Sequence, residues 1–269
     1  MPERAPRGRT ARRFRATVEY DGTEFAGFQI QREARTVQGE LEAALARLSG
    51  GIRQPVMGAG RTDAGVHATG QVIAFTYPGR LSAAALTEAL NGMLPPDVAI
   101  SGLRRAPAGF NPRYAARYRE YRYTIWNGPR SPLRERTSLW VRSELDVTAM
   151  AGAATAFEGR HDFGPFGGAD PQPVRTVHRL RVRRTGSTVT IDVRADAFLR
   201  GMVRRIVATL LAVGRGELEA SAVPGLLEAG RPALGGATAP ARGLCLRRVV
   251  LGRRTGKAGS EVDTGHEDR

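Results

Sequence analysis

Hydrophobic residues recur along this chain with two periods, every second residue or every third to fourth residue. These periods are typical of strands and of amphipathic helices respectively. Behind Thr36, a residue type that caps helices, apolar residues keep the helical spacing at Val37, Leu41, Leu45 and Leu48. The first part is predicted to form a strand, a helix, two strands, a helix and a strand, over residues 14–20, 37–48, 52–57, 71–77, 82–91 and 98–105.

The second part of the chain repeats this order of elements. Its strands are predicted over residues 114–126, 174–184, 188–193 and 244–251, and its two matching helices over residues 147–157 and 198–213. One further helical segment, 217–229, has no counterpart in the first part. The repeat lies in the order of elements alone, because the residues themselves show no self-similarity.

The order β-α-β-β-α-β is that of the ferredoxin-like fold. We therefore predict an α+β fold of two ferredoxin-like halves, residues 14–107 and 108–251. Side by side, the halves would form one broad, mixed and largely antiparallel sheet with the helices behind it, and a central cleft suited to RNA. Residues 1–13 are predicted to be a basic disordered arm and residues 252–269 a disordered tail.

The composition and charge of the chain indicate the class of molecule that it binds. The 269 residues carry a formal net charge of +15, almost all of it from arginine, since Lys257 is the one lysine. Arginine binds phosphate through a planar fork and stacks on bases, so the charge indicates a nucleic acid partner. A coding bias would explain the preference for arginine over lysine, but it would not explain the net charge. Apolar residues make up 41% of the chain, which excludes a wholly disordered protein.

Other classes of protein are disfavoured. The single cysteine, Cys245, excludes a disulfide within the chain and a cysteine zinc cluster. The four histidines show no spacing typical of metal ligands, and no apolar run is long enough to cross a membrane. The chain is therefore predicted to be cytoplasmic and to bind no metal.

A glycine-rich stretch over residues 58–70 holds the strongest candidate for chemistry. Four glycines in thirteen positions disfavour a helix and permit tight turns, and Arg61, Thr62 and Asp63 follow one another inside the stretch. Asp63 could act as nucleophile or base, kept ionised by Arg61. Alternatively, Asp63 caps the amides of its own loop and Arg61 is a surface partner. A phosphate-binding loop is disfavoured because the Gly-Lys-Ser/Thr ending is missing.

Two residues of the second part are candidates for the same site. Tyrosine and arginine interleave on a predicted strand, with Tyr121 and Tyr123 on one face and Arg122 on the other. This arrangement suits base stacking and phosphate contact, although packing in the core is the commoner role of a tyrosine. Arg204 lies at the rim of the apolar face of a predicted helix, where it needs an anionic partner or must reach water. His67 is interpreted as a hydrogen-bonded loop residue, and not as a catalytic base.

The motifs at these positions resemble those of the tRNA pseudouridine synthases that modify the anticodon arm at positions 38–40. The signature loop of that family is similar to residues 60–67. The resemblance continues in family order over residues 14–251, at residues 20–23 and 27–29, 36–38, 121–123, 198 with 202–204, and 239–244. Phe28 and Asp196 depart from the residues usual in the family, tryptophan and asparagine, but keep the character of each position.

The resemblance implies a role for each candidate. Asp63 would be the essential nucleophile, Tyr121 would stack on the target uracil, Arg204 would face the carboxylate, and Arg61 would help to displace the target nucleotide. It also implies the fold predicted above, no cofactor, and a homodimer that binds one tRNA across both subunits.

The implied reaction is the isomerisation of uridine to pseudouridine in the anticodon stem-loop of tRNA, at positions 38, 39 and 40. The target base would be flipped out of its stack before Asp63 attacks the nucleotide, either at ribose C1′ or at C6 of uracil. The alternative is a non-catalytic RNA-binding or RNA-chaperone protein, which the charge and the predicted sheet suit equally. A uracil glycosylase or a nuclease that uses Asp63 to activate water is a further alternative.

Overall fold

The computed structural model describes residues 11–168, 170–229 and 231–252. In that part of the chain ten strands form one sheet: β1 (Arg12–Tyr20), β2 (Met57–Gly58), β3 (His67–Tyr77), β4 (Val98–Arg105), β5 (Ala116–Trp126), β6 (Leu139–Trp140), β7 (Gly159–Asp162), β8 (Val174–Thr185), β9 (Thr188–Ala195) and β10 (Leu244–Leu251). The α-helices are α1 (Val37–Leu48), α2 (Ala83–Asn91), α3 (Pro112–Ala115), α4 (Val147–Ala154), α5 (Met202–Gly214) and α6 (Val223–Glu228).

The sheet runs in the order β4-β1-β3-β10-β5-β9-β8-β7, and β2 and β6 pair with β3 and β5 beside this path. The described strand pairs are antiparallel except for β3 with β10 and β5 with β6, which are parallel. This confirms the predicted α+β class with a mixed, largely antiparallel sheet. The parallel pair of β3 and β10 joins strands from the two parts of the chain, so a single sheet spans both.

Alternation in the strands buries one face of the sheet. In β1 the residues Phe14, Ala16, Val18 and Tyr20 are buried, and β9 repeats the pattern from Val189 to Ala195. These side chains belong to one hydrophobic cluster that includes residues of both parts. Burying each large apolar side chain contributes about 1.5–3 kcal/mol, so the sheet and the helices packed on it are held together by the same core.

Helix boundaries in the first part follow the capping signals. The Thr36 hydroxyl accepts a hydrogen bond from the Gly39 amide at 3.2 Å, and α1 begins directly after it. The Ser82 hydroxyl caps α2 in the same way, accepting from the Ala85 amide at 3.2 Å. Each cap satisfies an amide that has no partner within its helix. The two predicted helices of this part are confirmed.

The predicted strand over residues 52–57 is wrong for all but its last residue. Only Met57 and Gly58 pair with β3, and Ile52 is exposed. The buried Glu42 carboxylate accepts the Val56 amide at 3.0 Å. This segment is therefore held by a side chain of α1 and not by a strand ladder, an arrangement that local hydrophobicity does not predict.

The predicted start of the helix at residue 198 is also wrong. Gly201 has a φ of +71°, which is outside the right-handed helical region, and α5 begins only at Met202. Arg204 therefore lies in the first turn of α5, while Arg200 precedes the helix. Arg200 and Arg204 therefore do not share a helix face.

Several other boundaries differ from the predictions. Residues 114 and 115 belong to α3, so β5 begins at Ala116, and the helices predicted over 147–157 and 217–229 are shorter, each with a 3₁₀ turn attached. The strands β6 and β7 were not predicted.

Of the predicted arm, Arg12 and Arg13 lie in β1, and residues 1–10 fall outside the described part of the chain. The predicted tail falls outside it after residue 252.

Candidate active site

Asp63 lies in the irregular segment between β2 and β3. At its start the Ala59 amide donates to the Val72 carbonyl at 2.8 Å, and the Gln71 side-chain amide donates to the Gly60 carbonyl at 2.9 Å. Beyond Asp63 its own carbonyl accepts the Val66 amide at 3.2 Å, which closes a turn. Backbone partners on both sides therefore fix the segment without a regular ladder. We call residues 59–66 the Asp63 loop.

A second set of contacts holds the Asp63 loop from the segment after β1. The Phe28 amide donates to the Thr62 carbonyl at 3.1 Å, and the buried hydroxyls of Tyr20 and Thr62 are 2.8 Å apart. Gly27 has a φ of +107°, and a β-carbon there would lie 2.8 Å from the Thr62 carbonyl oxygen. Only glycine allows this conformation and this approach without strain. The residue beside Asp63 is thus clamped on both its backbone and its side chain.

Arg204 faces Asp63 across the site. Its Nη1 is 3.9 Å from Oδ2 of Asp63, too far for a hydrogen bond but close enough for charge attraction. The guanidinium is held by other groups, since Nε donates to the Ala239 carbonyl at 2.6 Å and Nη2 to the Thr238 hydroxyl at 3.2 Å. The side chains of Asp63 and Arg204 are 32% and 23% exposed, so both reach solvent.

Tyr121 forms a wall of the site from β5. It is paired on both sides, with Leu246 of β10 and Val193 of β9, and only 8% of it is exposed. Its ring meets Phe198 edge to face, with 5.1 Å between ring centres and an interplanar angle of 84°. Burial raises the pKa of the Tyr121 hydroxyl well above its usual range. The hydroxyl is therefore neutral at physiological pH.

Arg61 is the most accessible of the four candidates. It is exposed on the Asp63 loop, and among the described residues no ion pair links it to Asp63. The hypothesis that Arg61 keeps Asp63 ionised is therefore not supported by the contacts, and Arg204 is the cation that faces the carboxylate.

The four candidate residues all line one cavity of about 1080 Å³. Asp63 and Arg61 enter it from the Asp63 loop, Tyr121 from β5 and Arg204 from α5. Further cations line the same cavity, namely Arg113, Arg119, Arg175 and Arg200. The cavity thus joins a carboxylate and an aromatic wall to a rim of positive charge, which suits a polyanion with planar groups.

Comparisons with known proteins agree with this chemistry. The family model described as tRNA pseudouridine synthase matches residues 16–115 and 153–250, which is more than half of the chain. The chain belongs to the tRNA pseudouridine synthase family. A protein named tRNA pseudouridine synthase A from Moorella thermoacetica is 46% identical over 240 residues, covering 87% of this chain and 97% of that protein. A protein of the same name from Geotalea uraniireducens is 44% identical over 244 residues, covering 88% and 99%.

Membership of the tRNA pseudouridine synthase family makes this protein an enzyme, an isomerase. Asp63 and Arg61 lie inside the first matched range and Arg204 inside the second, whereas Tyr121 lies between the two.

Among solved structures, an archaeal box H/ACA sRNP Nop10-Cbf5 complex is similar with a TM-score of 0.33 and 13% identity, covering 74% of this chain and 44% of that one. That likeness is too weak to support a conclusion.

Arg119 was missed as a site residue by the sequence reasoning. Its guanidinium donates to the Ala59 and Asp196 carbonyls, both at 2.6 Å, and to the Arg113 carbonyl at 3.1 Å. It therefore connects the start of the Asp63 loop to the ends of β9 and α3. The available signal was strand alternation, which places residues 119 and 121 on the same face of β5.

His67 has a structural role at the start of β3. Its Nδ1 accepts the Gly22 amide at 3.0 Å, and Nε2 lies 3.1 Å from the Arg242 carbonyl. The Asp21 carboxylate is 3.1 Å from Nδ1. The interpretation of His67 as a hydrogen-bonded residue is confirmed, although it lies in a strand.

Within residues 11–168, 170–229 and 231–252 there is no cluster of three or more His, Cys, Asp or Glu side chains that could hold a metal ion. In the same residues no helix is both long and apolar enough to cross a membrane.

Proposed function

We propose that this protein isomerises uridine to pseudouridine at positions 38, 39 and 40 of the anticodon stem-loop of tRNA, with Asp63 as the nucleophile. The observation that supports this most is the meeting of Asp63, Tyr121 and Arg204 around one cavity in a member of the tRNA pseudouridine synthase family. The reaction breaks the bond between ribose C1′ and N1 of uracil and joins C1′ to C5. The C5 proton is released, N1 is protonated, and no external group is transferred.

The target uridine must first leave its stack, which costs a few kcal/mol. Tyr121 would offset this cost by stacking on the extruded uracil, because its ring lies against Phe198 and lines the cavity. Arg61 would occupy the space that the base leaves, since it is exposed at the mouth of the same cavity.

Asp63 then attacks the extruded nucleotide at ribose C1′ or at C6 of uracil. Arg204, 3.9 Å from the carboxylate and held by its own hydrogen bonds, keeps a positive charge beside the attacking oxygen. A fixed charge of this kind needs no rearrangement during the reaction and stabilises the ionised, correctly aimed carboxylate.

The same proposal extends to architecture and assembly. The strand orders β4-β1-β3-β2 and β10-β5-β9-β8 place the last, first, third and second strand of each part side by side, which supports two ferredoxin-like halves over residues 14–107 and 108–251. The cavity between them would be the RNA-binding cleft, with the helices behind the sheet. We further propose a cytoplasmic homodimer that binds one tRNA across both subunits.

The experiment uses tRNA from a strain that lacks this gene, tritiated at C5 of uracil. Incubation with the wild-type protein should release tritium and leave intact RNA with pseudouridine at positions 38–40, located by mass mapping of nuclease digests. Binding without tritium release would indicate a non-catalytic RNA-binding protein. Free uracil or cut strands would indicate a glycosylase or a nuclease, and either outcome would refute the proposal.

A further inference from the structure

Tyr114 differs from the other tyrosines of the chain in its exposure. It is 67% exposed, whereas Tyr121 is 8% exposed and the remaining four are buried or half-buried. A single exposed aromatic ring is by itself unremarkable on a protein surface. This ring, however, lines the cavity that contains Asp63. It is therefore an aromatic surface that the protein leaves unused at the opening of its own active site.

The backbone on both sides of Tyr114 is fixed. The Asn111 side-chain carbonyl accepts the Arg113 amide at 3.0 Å, and the Asn111 backbone carbonyl accepts the Ala115 amide at 3.0 Å. The Arg113 carbonyl accepts a hydrogen bond from Arg119. Tyr114 thus lies on a short turn whose backbone is held by hydrogen bonds, so ordering this backbone on binding costs little conformational entropy.

The charges around Tyr114 indicate what the ring would contact. Arg61, Arg113 and Arg200 are exposed and line the same cavity. A ligand that places a flat, weakly polar group on a tyrosine and negative charge on nearby guanidiniums is a nucleotide in a nucleic acid strand. The chemical class of ligand is therefore a nucleobase with its flanking phosphates.

Tyr121 is not available to a second base, one that lies next to the target uridine in the RNA. It is packed between two strands and against Phe198 with only 8% of it exposed, and under the proposed function the target uracil would occupy that surface. We propose that Tyr114 stacks on a nucleobase of the same RNA next to the target uridine, and that this second stacking site holds the strand open while the uridine is extruded. This inference rests on the proposed function for the identity of the RNA.

Affinity measured without turnover tests this site. In an Asp63→Asn background, Tyr114→Ala should weaken tRNA binding about tenfold or more, since one base–aromatic stack is worth about 1–3 kcal/mol. Tyr114→Phe keeps the ring and should bind within about twofold of the parent. The control is Leu133→Ala, because Leu133 is 95% exposed but is not among the described residues that line the cavity. It should leave affinity unchanged.

Two further readouts separate stacking from charge. The slope of log Kd against log salt should be the same for Tyr114→Ala and its parent, because no phosphate contact is lost. The fluorescent base 2-aminopurine can be placed in turn on either side of the target uridine. At one of the two positions its fluorescence should be quenched on binding to the parent and should be brighter on binding to Tyr114→Ala.

Parent-like affinity of Tyr114→Ala, or equal losses in Tyr114→Phe and Tyr114→Ala, would overturn the stacking site. So would a shallower salt slope, which would indicate an electrostatic effect. Tritium release by the wild type tests the proposed function separately. If the wild type releases no tritium but Tyr114→Ala still weakens tRNA binding, the proposed function is refuted and the stacking site is retained. If the wild type releases tritium but Tyr114→Ala binds tRNA as its parent does, the function is retained and the stacking site is refuted.

Discussion

The two parts of the chain supply different kinds of support to one cavity. The first part places Asp63 on an irregular loop whose shape depends on individual hydrogen bonds and on Gly27. The second part places Tyr121 in the middle of a paired strand and Arg204 in the first turn of α5. The reacting group thus lies on bent backbone, and the groups that orient it lie on regular elements, which hold side chains more rigidly than loops do.

This difference predicts how substitutions divide. A change to Arg204, which reaches solvent, should alter the chemistry and leave the fold intact. A change beneath the Asp63 loop should alter stability and chemistry together, because the loop has no ladder to restore its shape.

The largest effect that separates the two regions is expected at Arg204. Arg204→Gln removes the charge facing Asp63, and kcat should fall about 10²–10³-fold, the usual cost of losing one fixed stabilising group. Arg204→Lys keeps the charge and should recover part of the rate. The matched control is Arg215→Gln at the end of the same helix, since Arg215 is also 3.9 Å from a carboxylate, that of Glu217.

Single-turnover tritium release with saturating enzyme measures this step, and thermal unfolding checks the fold. A loss of rate in Arg215→Gln equal to that in Arg204→Gln would contradict the special role of the charge opposite Asp63.

A smaller effect is expected at Arg119, which links the regions. Arg119→Ala frees the carbonyls of Ala59 and Asp196, and kcat should fall up to about 10²-fold as the loop shifts against the wall, while tRNA affinity changes less. Arg119→Lys should restore only part of this, because one ammonium cannot reach three carbonyls. Arg122→Ala on the same strand, which removes the pair with Asp192, serves as the control. A drop in affinity as large as the drop in kcat would indicate a phosphate contact instead.

Beneath the loop, Gly27→Ala should lower both stability and rate. The new methyl group would lie 2.8 Å from the Thr62 carbonyl at a φ of +107°, a strain of about 1–3 kcal/mol, and the displaced loop should lose about tenfold in kcat. Gly50→Ala is the control, because Gly50 also has a positive φ, +68°, but no atom lies within 4 Å of a β-carbon there. If both variants lose the same rate, the contact with Thr62 is irrelevant.

The smallest effect concerns the pH dependence of stability at Tyr20. Burial raises the pKa of Tyr20 well above its ordinary value of 10, and its hydrogen bond with Thr62 only partly opposes this. Above pH 10 the unfolded chain releases a proton that the folded chain keeps, so stability falls as pH rises, by up to about 1.4 kcal/mol per unit. Denaturant unfolding of Tyr20→Phe should decline less steeply above pH 10, whereas Tyr114→Phe, which removes an exposed hydroxyl, should match the wild type. Identical slopes for Tyr20→Phe and the wild type would contradict the burial effect.

Periodicity and caps predicted the elements of this fold where local sequence decides the outcome. Thr36 and Ser82 mark the starts of α1 and α2, and alternation marks β1 and β9. The prediction failed where a distant side chain replaces the ladder, as Glu42 does for the segment before β2. It failed again at Gly201, whose left-handed conformation delays the start of α5 to Met202.

Local sequence patterns could name the candidate site residues but not their contacts, and only the family resemblance implied that Arg204 faces Asp63. The glycine-rich stretch marks Asp63, yet Arg61, the obvious neighbour in sequence, is not its ion-pair partner among the described residues, and Arg204 faces it from 141 positions along the chain. For Arg119 the sequence predicts only a position on a strand, whereas its hydrogen bonds to three carbonyls depend on the tertiary structure. Contacts between distant segments depend on the tertiary fold, which local patterns do not determine.

The most direct test of the central claim is tritium release by Asp63→Asn under single-turnover conditions, with tRNA affinity measured on the same preparation. The amide keeps the shape of the side chain but cannot attack carbon as a carboxylate does. We predict wild-type-like binding and no tritium released from C5 of uracil. Release at a rate near that of the wild type would show that Asp63 is not the nucleophile.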